Sequence, residues 1–123
     1  MDEDLASFVK ASIRSTWALE LLLLMQKQQE QEFAAEELVR ALRGSATLVS
    51  NCLAQLQNAG LLVADEAGNW RYAPASVALE ELVDKLGRAY AERPLAVIDA
   101  ILGSPDDRLK SFADAFRFPK KGD

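Results

Sequence analysis

The side chains that most often perform catalysis or bind metals are scarce in this chain. It contains no histidine and one cysteine, against 19 acidic residues. Without histidine the usual general base is missing, and a transition-metal site would have to be built from carboxylates. The acidic residues show no helical spacing that would bring them together, and no glycine-rich phosphate loop is present. The sequence therefore predicts a protein that is not an enzyme and that holds no metal or cofactor.

The single cysteine, Cys52, shares an apolar helix stripe with Leu48 and Leu56, so we expect a core residue rather than a redox switch. One cysteine excludes an internal disulfide framework and fits a reducing compartment. The apolar run Trp17–Met25 is far shorter than the roughly 20 residues that a membrane-spanning helix needs. The acidic start of the chain is unlike a secretory signal. These features predict a cytoplasmic protein with no membrane segment.

The elements that must position the remaining polar side chains follow in a recognisable order. Gly44 is expected to end one helix in the left-handed cap conformation, and Ser45 is placed to cap the next. Pro74 ends the second strand, because proline cannot donate to a ladder. The spacing predicts three helices over Ile13–Gln31, Ala34–Leu42 and Ser45–Gly60, then a hairpin of Leu61–Ala64 and Trp70–Ala73. Two helices joined by a tight turn and followed by a hairpin are the order of elements found in a winged helix.

Helical spacing resumes after Pro74. Ser76 caps a helix that Pro94 breaks, a second helix follows, and Ser104 with Pro105 begins a third. The first long helix is apolar on every face, so the C-terminal helices or a second subunit must complete its covering. We therefore predict a mainly α fold with a small β-hairpin (α+β), a winged helix-turn-helix with additional C-terminal helices. It forms a single domain over 1–123, with a winged-helix core at 13–74 and C-terminal helices for core completion or dimerisation at 75–118.

The segment from Ser45 to Leu62 resembles the recognition helix and first wing strand of winged helix-turn-helix regulators of the ArsR and MarR type. The matching positions are Val49-Ser50, Leu53 with Leu56, and Gly60-Leu61. The resemblance implies a DNA-binding transcriptional regulator that forms a homodimer. It places hydroxyl and amide groups of the helix in the major groove and basic residues against the flanking backbone. The DNA-binding residues that it implies are Arg40, Arg43, Ser45, Thr47, Ser50, Asn51, Asn69 and Arg71.

The chain departs from that family in its charge. Family members usually carry basic residues within the recognition helix, whereas Ser45–Ala59 has no charge of either sign and the whole chain carries a formal charge of -5. A polyanion is repelled by such a chain unless its basic groups are gathered on one face. Two alternatives therefore remain open at this stage: a winged-helix protein-protein interaction module that does not bind DNA, and an exposed helix face that is merely solvated. A ligand pocket between the long first helix and the C-terminal helices is a third.

Overall fold

The computed structural model describes residues 2–102. Within them the chain is mainly helical with a small antiparallel sheet, so the predicted α+β class is confirmed. The helix expected from Ser104 lies outside the described residues. The elements are α1 (Glu3–Ser12), α2 (Thr16–Lys27), β1 (Phe33–Ala34), α3 (Ala35–Leu42), α4 (Ala46–Asn58), β2 (Leu62–Ala64), β3 (Asn69–Tyr72), α5 (Val77–Glu92) and α6 (Pro94–Leu102).

The sheet has three strands in the order β1-β3-β2, both pairs antiparallel. β2 and β3 form the predicted hairpin, with Leu62 opposite Tyr72 and Val63 opposite Arg71. Leu62 and Tyr72 point into the core, whereas Val63 and Arg71 are exposed on the other face. The two-residue strand β1 was not predicted, because two residues are too short to show an alternating pattern. The Glu37 carboxylate accepts a hydrogen bond from the Ala34 N–H at 2.8 Å, where β1 passes into α3.

The prediction of one helix over Ile13–Gln31 is wrong at both ends, since α2 spans Thr16–Lys27 and stops before the predicted end. α1 ends before Ile13, whose backbone is extended and whose side chain is 1% exposed. A new helix, α2, then begins after Ser15, because the Ser15 hydroxyl accepts a hydrogen bond from the Ala18 N–H at 3.1 Å. The acidic N-terminal stretch is therefore a separate helix that packs against α5 and α6.

The turn between α3 and α4 also differs from the expectation. Arg43, not Gly44, takes the left-handed conformation, with φ 59° and ψ 32°. Gly44 has a different reason to be glycine. A Cβ there would lie 3.3 Å from Leu48 Cδ2, a tight distance, and 3.6 Å from Trp17 Cζ3, an ordinary contact, so a side chain would crowd Leu48. The turn thus stores backbone strain at a charged residue.

The core lies between α2, α4, the sheet and the C-terminal helices. α2 is not buried on every face, which corrects the expectation from its composition: Leu19, Leu21 and Leu22 are fully buried, whereas Trp17 is 38% exposed. Ala18 and Met25 are also fully buried, and Leu23 and Leu24 are half-buried against α5. Among the described residues, no helix combines the length and hydropathy that crossing a membrane requires.

Candidate nucleic-acid interface

Helix α4 has one face in the core and one in solvent. Val49, Cys52, Leu53 and Leu56 are each at most 3% exposed. They recur at three- and four-residue intervals, so they lie on one side of the helix. The other side faces solvent, where a partner can reach it.

The exposed face of α4 runs along the whole helix. Thr47, Ser50 and Asn51 are exposed, as the resemblance requires of groove-facing residues. No hydrogen bond or ion pair within residues 2–102 involves any of these three side chains. The sequence interpretation stopped at Asn51 and missed the rest of the face, although the same spacing of three and four residues continues it. We name the complete set the α4 strip: Thr47, Ser50, Asn51, Ala54, Gln57 and Asn58.

Ser45 has a structural task as well as an exposed position. Its hydroxyl oxygen accepts a hydrogen bond from the Leu48 N–H at 3.0 Å, which satisfies one of the free amides at the start of α4. The predicted capping role of Ser45 is therefore confirmed. The hydroxyl hydrogen is still available to donate to an acceptor outside the chain.

Two exposed arginines stand immediately before the α4 strip. Arg40 lies in the last turn of α3, and Arg43 ends that helix in the left-handed conformation. The ion pair found in residues 2–102 is Lys85 with Asp2, so neither arginine is neutralised there by a carboxylate. Arg43 therefore directly precedes the N-terminal turn of α4, whose free amides also favour an anion, and Arg40 lies one turn of α3 earlier.

The hairpin carries the other two predicted residues. Arg71 is exposed on the outer face of β3, beside Val63. Asn69 is half-buried, and its backbone N–H donates to Asp65 Oδ1 at 2.9 Å. The turn between the strands also carries the exposed acids Asp65 and Glu66, which weaken the attraction of the hairpin tip for phosphate. Within the described residues, no hydrogen bond or ion pair joins Arg71 to the α4 strip.

Two side chains near the interface, Cys52 and Tyr72, have a raised pKa, and both are buried core residues. Burial raises the pKa of the Cys52 thiol. A hydrogen bond with the Ser15 hydroxyl, at 4.0 Å from the Cys52 Sγ atom, offsets part of this rise. A thiol with a raised pKa is a poor nucleophile at neutral pH, so Cys52 behaves as a small core residue, as predicted. Burial also raises the pKa of Tyr72 to about 12. In the part of the chain that the structure describes, no three acidic or cysteine side chains gather as metal ligands would.

A second concave surface lies between α2 and α5, where the sequence left room for a pocket. Its volume is about 780 Å³, and Leu23 and Leu24 form part of its apolar lining. Two hydrogen bonds connect the helices across it. Tyr90 donates to the Glu20 carboxylate at 2.8 Å, and Gln26 Nε2 donates to Asp84 Oδ1 at 2.7 Å. The groove is open and its charges are mixed, so its geometry does not favour one class of ligand.

Comparisons of the chain with protein-family models, with curated proteins and with solved structures found no match. The functional assignment therefore depends on the geometry of this chain, and the α4 strip with its flanking arginines is the surface from which we derive it.

Proposed function

We propose that the protein is a cytoplasmic DNA-binding transcriptional regulator that uses a winged helix-turn-helix and acts as a homodimer. The observation that carries this proposal is the α4 strip: an exposed, polar helix face whose opposite face is packed in the core. A helix held in this way can enter the major groove of duplex DNA while the rest of the domain stays outside. The order α2, β1, α3, α4 and hairpin supports the winged-helix topology.

In this proposal the charged and uncharged residues have separate roles. Arg40, Arg43 and Arg71 contact phosphate oxygens and fix the orientation of the domain on the duplex. Asn51 is suited to pair with the N6 and N7 positions of adenine, and the hydroxyl groups of Thr47 and Ser50 contact base edges or phosphates. Because α4 contributes no positive charge, affinity rests on few phosphate contacts per subunit.

A homodimer compensates for that small number of contacts. Two symmetry-related α4 helices, spaced by about one turn of DNA, would double the phosphate contacts and read a palindromic site. Apolar side chains are available for a subunit interface on the C-terminal helices: Val77 is 69% exposed and Leu95 is 75% exposed. Exposed apolar groups of this size favour contact with another protein surface when they form a continuous patch.

The alternative function is a winged-helix module that binds a protein and not DNA. It is favoured by the absence of charge from Gly44 to Ala64 and by the acids Asp65 and Glu66 at the hairpin tip. A surface without cations fits a protein partner or a basic partner surface better than it fits phosphate. Val63, 39% exposed beside Arg71, would then belong to an apolar contact.

A double charge reversal tests the DNA-binding proposal. Arg43→Glu with Arg71→Glu replaces two exposed cations, so the variant should keep the thermal stability and circular dichroism of the wild type. We expect it to lose binding to a fluorescently labelled duplex, measured by anisotropy at low salt. Lys27→Glu with Arg88→Glu is the matched control, since it makes the same change in net charge on the α2–α5 groove. Equal loss of binding in both variants, or retained binding in the first, contradicts the proposed footprint.

A further inference from the structure

Residues 14–17, at the start of α2, form a border along α4 from its C-terminal end toward its N-terminal turn; Ser15 meets the buried Cys52, and Arg14 shares a cleft with Asn58 of the α4 strip. Residues at one end of this border lie near the C-terminal end of α4, and residues at the other end lie near its N-terminal turn. The neighbouring pairs along the border are Arg14 with Asn58, Ser15 with Cys52, and Trp17 with Gly44. None of the residues from Arg14 to Trp17 was among the predicted DNA contacts.

Arg14 stands at the C-terminal end of this border. It lines a small cleft of about 260 Å³ together with residues of α1 and α4, among them Gln55 and Asn58. Arg14 is exposed, and it forms no ion pair with another residue of the range 2–102. It is thus a free cation directly beside the last polar residue of the uncharged α4 strip.

The polar groups around Arg14 determine which side of it can meet an anion. α1 and α4 both end at the cleft, and their free carbonyl groups repel an anion from its interior. The Gln55 Oε1 atom is buried there and receives no hydrogen bond from the described part of the chain. These acceptors attract the guanidinium of Arg14, whose five N–H donors form a planar fork. One edge of the fork can face the cleft while the other faces outward, next to Asn58.

Trp17 occupies the other end of the border. Its ring lies 3.6 Å from the Cβ position of Gly44, and the side chain is 38% exposed. It therefore flanks the turn that carries Arg43 and Ser45. A duplex seated on the α4 strip would change the solvent exposure of this indole ring.

We propose that the start of α2 is a second border of the DNA interface, where the outward edge of Arg14 contacts a backbone phosphate and Trp17 lies against the duplex. This inference rests on the proposed function and adds one phosphate contact per subunit to it. Helix α4 carries no cation of its own. In this proposal Arg43 binds phosphate near the N-terminal end of α4, and Arg14 binds phosphate near its C-terminal end.

The test compares two exposed cations, Arg14 just before α2 and Lys27 at the end of α2. Arg14→Gln should reduce the slope of log affinity against log salt by about 0.9 per subunit, because one phosphate contact is lost. Lys27→Gln is the matched control, since Lys27 is an exposed cation at the far end of α2 and its loss should leave the slope unchanged. Both variants should keep the thermal stability of the wild type. Affinity is measured by anisotropy with a labelled duplex over a range of salt concentrations.

Tryptophan fluorescence gives a second, independent measurement. Trp70→Phe leaves Trp17 as the one tryptophan of the chain, and addition of unlabelled duplex should change the fluorescence of this variant. If the wild type binds duplex but Arg14→Gln has the salt slope of Lys27→Gln, or if duplex leaves the fluorescence of Trp70→Phe unchanged, this inference is wrong while the proposed function stands. If the wild type binds no duplex at low salt, the proposed function itself fails.

Discussion

Replacing Arg43 by glycine should stabilise the protein and weaken its DNA binding at the same time. Arg43 is a non-glycine residue with φ 59° and ψ 32°. In this left-handed region the Cβ atom crowds the following carbonyl oxygen, at a cost of about 1–2 kcal/mol. Glycine removes that crowding. Because Arg43 is exposed, the substitution disturbs no core contact.

The size of the gain follows from two opposing terms. Relief of the strain contributes about 1–2 kcal/mol, and the greater freedom of glycine in the unfolded chain takes back about 0.4–1 kcal/mol. The expected net stabilisation lies in the range of about 0–1.6 kcal/mol and is centred near about 0.8 kcal/mol. For a domain of this size the central value corresponds to a rise in the range of about 2–8 °C in the melting temperature.

Arg43→Ala is the matched control. It removes the same guanidinium but keeps a Cβ in the left-handed conformation, so it should melt close to the wild type. Urea denaturation and thermal melting, followed by circular dichroism, compare the three proteins. Both variants should lose the same phosphate contact and show the same reduction in the salt dependence of DNA binding, about 0.9 in slope per subunit.

The comparison separates the two parts of the reasoning. If Arg43→Gly is no more stable than Arg43→Ala, the turn is not strained at this residue. If both variants bind duplex as tightly and with the same salt slope as the wild type, Arg43 is not a phosphate contact. A gain in stability with a loss of binding is the result expected of a residue whose strain is retained for function.

Three further substitutions test the core, the buried hydroxyl and the subunit contact. Leu53→Asp should unfold the domain, because Leu53 is 1% exposed and an unpaired buried charge costs a large part of a typical total stability; a folded variant by circular dichroism would show that α4 faces the other way. Burial raises the pKa of Tyr72 to about 12. The folded state therefore keeps a proton that the unfolded state loses above about pH 10. The free energy of unfolding should fall between about pH 10 and 12 by up to about 2.7 kcal/mol. Tyr72→Phe should remove this part of the loss of stability at high pH. It should not destabilise the protein at pH 7, because the buried hydroxyl has no hydrogen-bond partner within residues 2–102. Urea titrations at pH 8 and 11 would contradict this if the wild type and Tyr72→Phe lost the same stability. Leu95→Asp should convert a dimer to a folded monomer in analytical ultracentrifugation, and an unchanged dimer would place the interface elsewhere.

Much of the local structure could be predicted because single residues determine it. Ser45 and Ser76 were predicted as helix caps, and each accepts a hydrogen bond from the backbone N–H three residues later. The burial of Cys52 followed from its helical spacing with Leu48 and Leu56. These predictions depend on neighbours within one turn of helix, which the sequence displays directly.

The features that were missed depend on contacts between distant residues. Gly44 was interpreted as a left-handed cap, but Arg43 takes that conformation, and the space at Gly44 is limited by Leu48 together with Trp17, which is remote in sequence. The break between α1 and α2 was missed because Ile13 continues the apolar pattern, and Ser15 was the signal that would have revealed it. The place of Arg14 beside Asn58 could not be predicted, since it results from the packing of α2 along α4.

Selection from random duplexes, followed by a salt titration, tests the central claim most directly. The purified protein is incubated with a pool of random duplexes at low salt, the retained sequences are determined, and anisotropy is measured with the enriched duplex. We predict an enriched palindrome. Six phosphate contacts, from Arg40, Arg43 and Arg71 of two subunits, give a slope of about -5.4, so affinity should fall about 10³-fold between roughly 50 and 200 mM salt. No retention at the lower salt concentration, or an affinity that does not change with salt, would contradict DNA binding and favour a protein partner for the α4 strip.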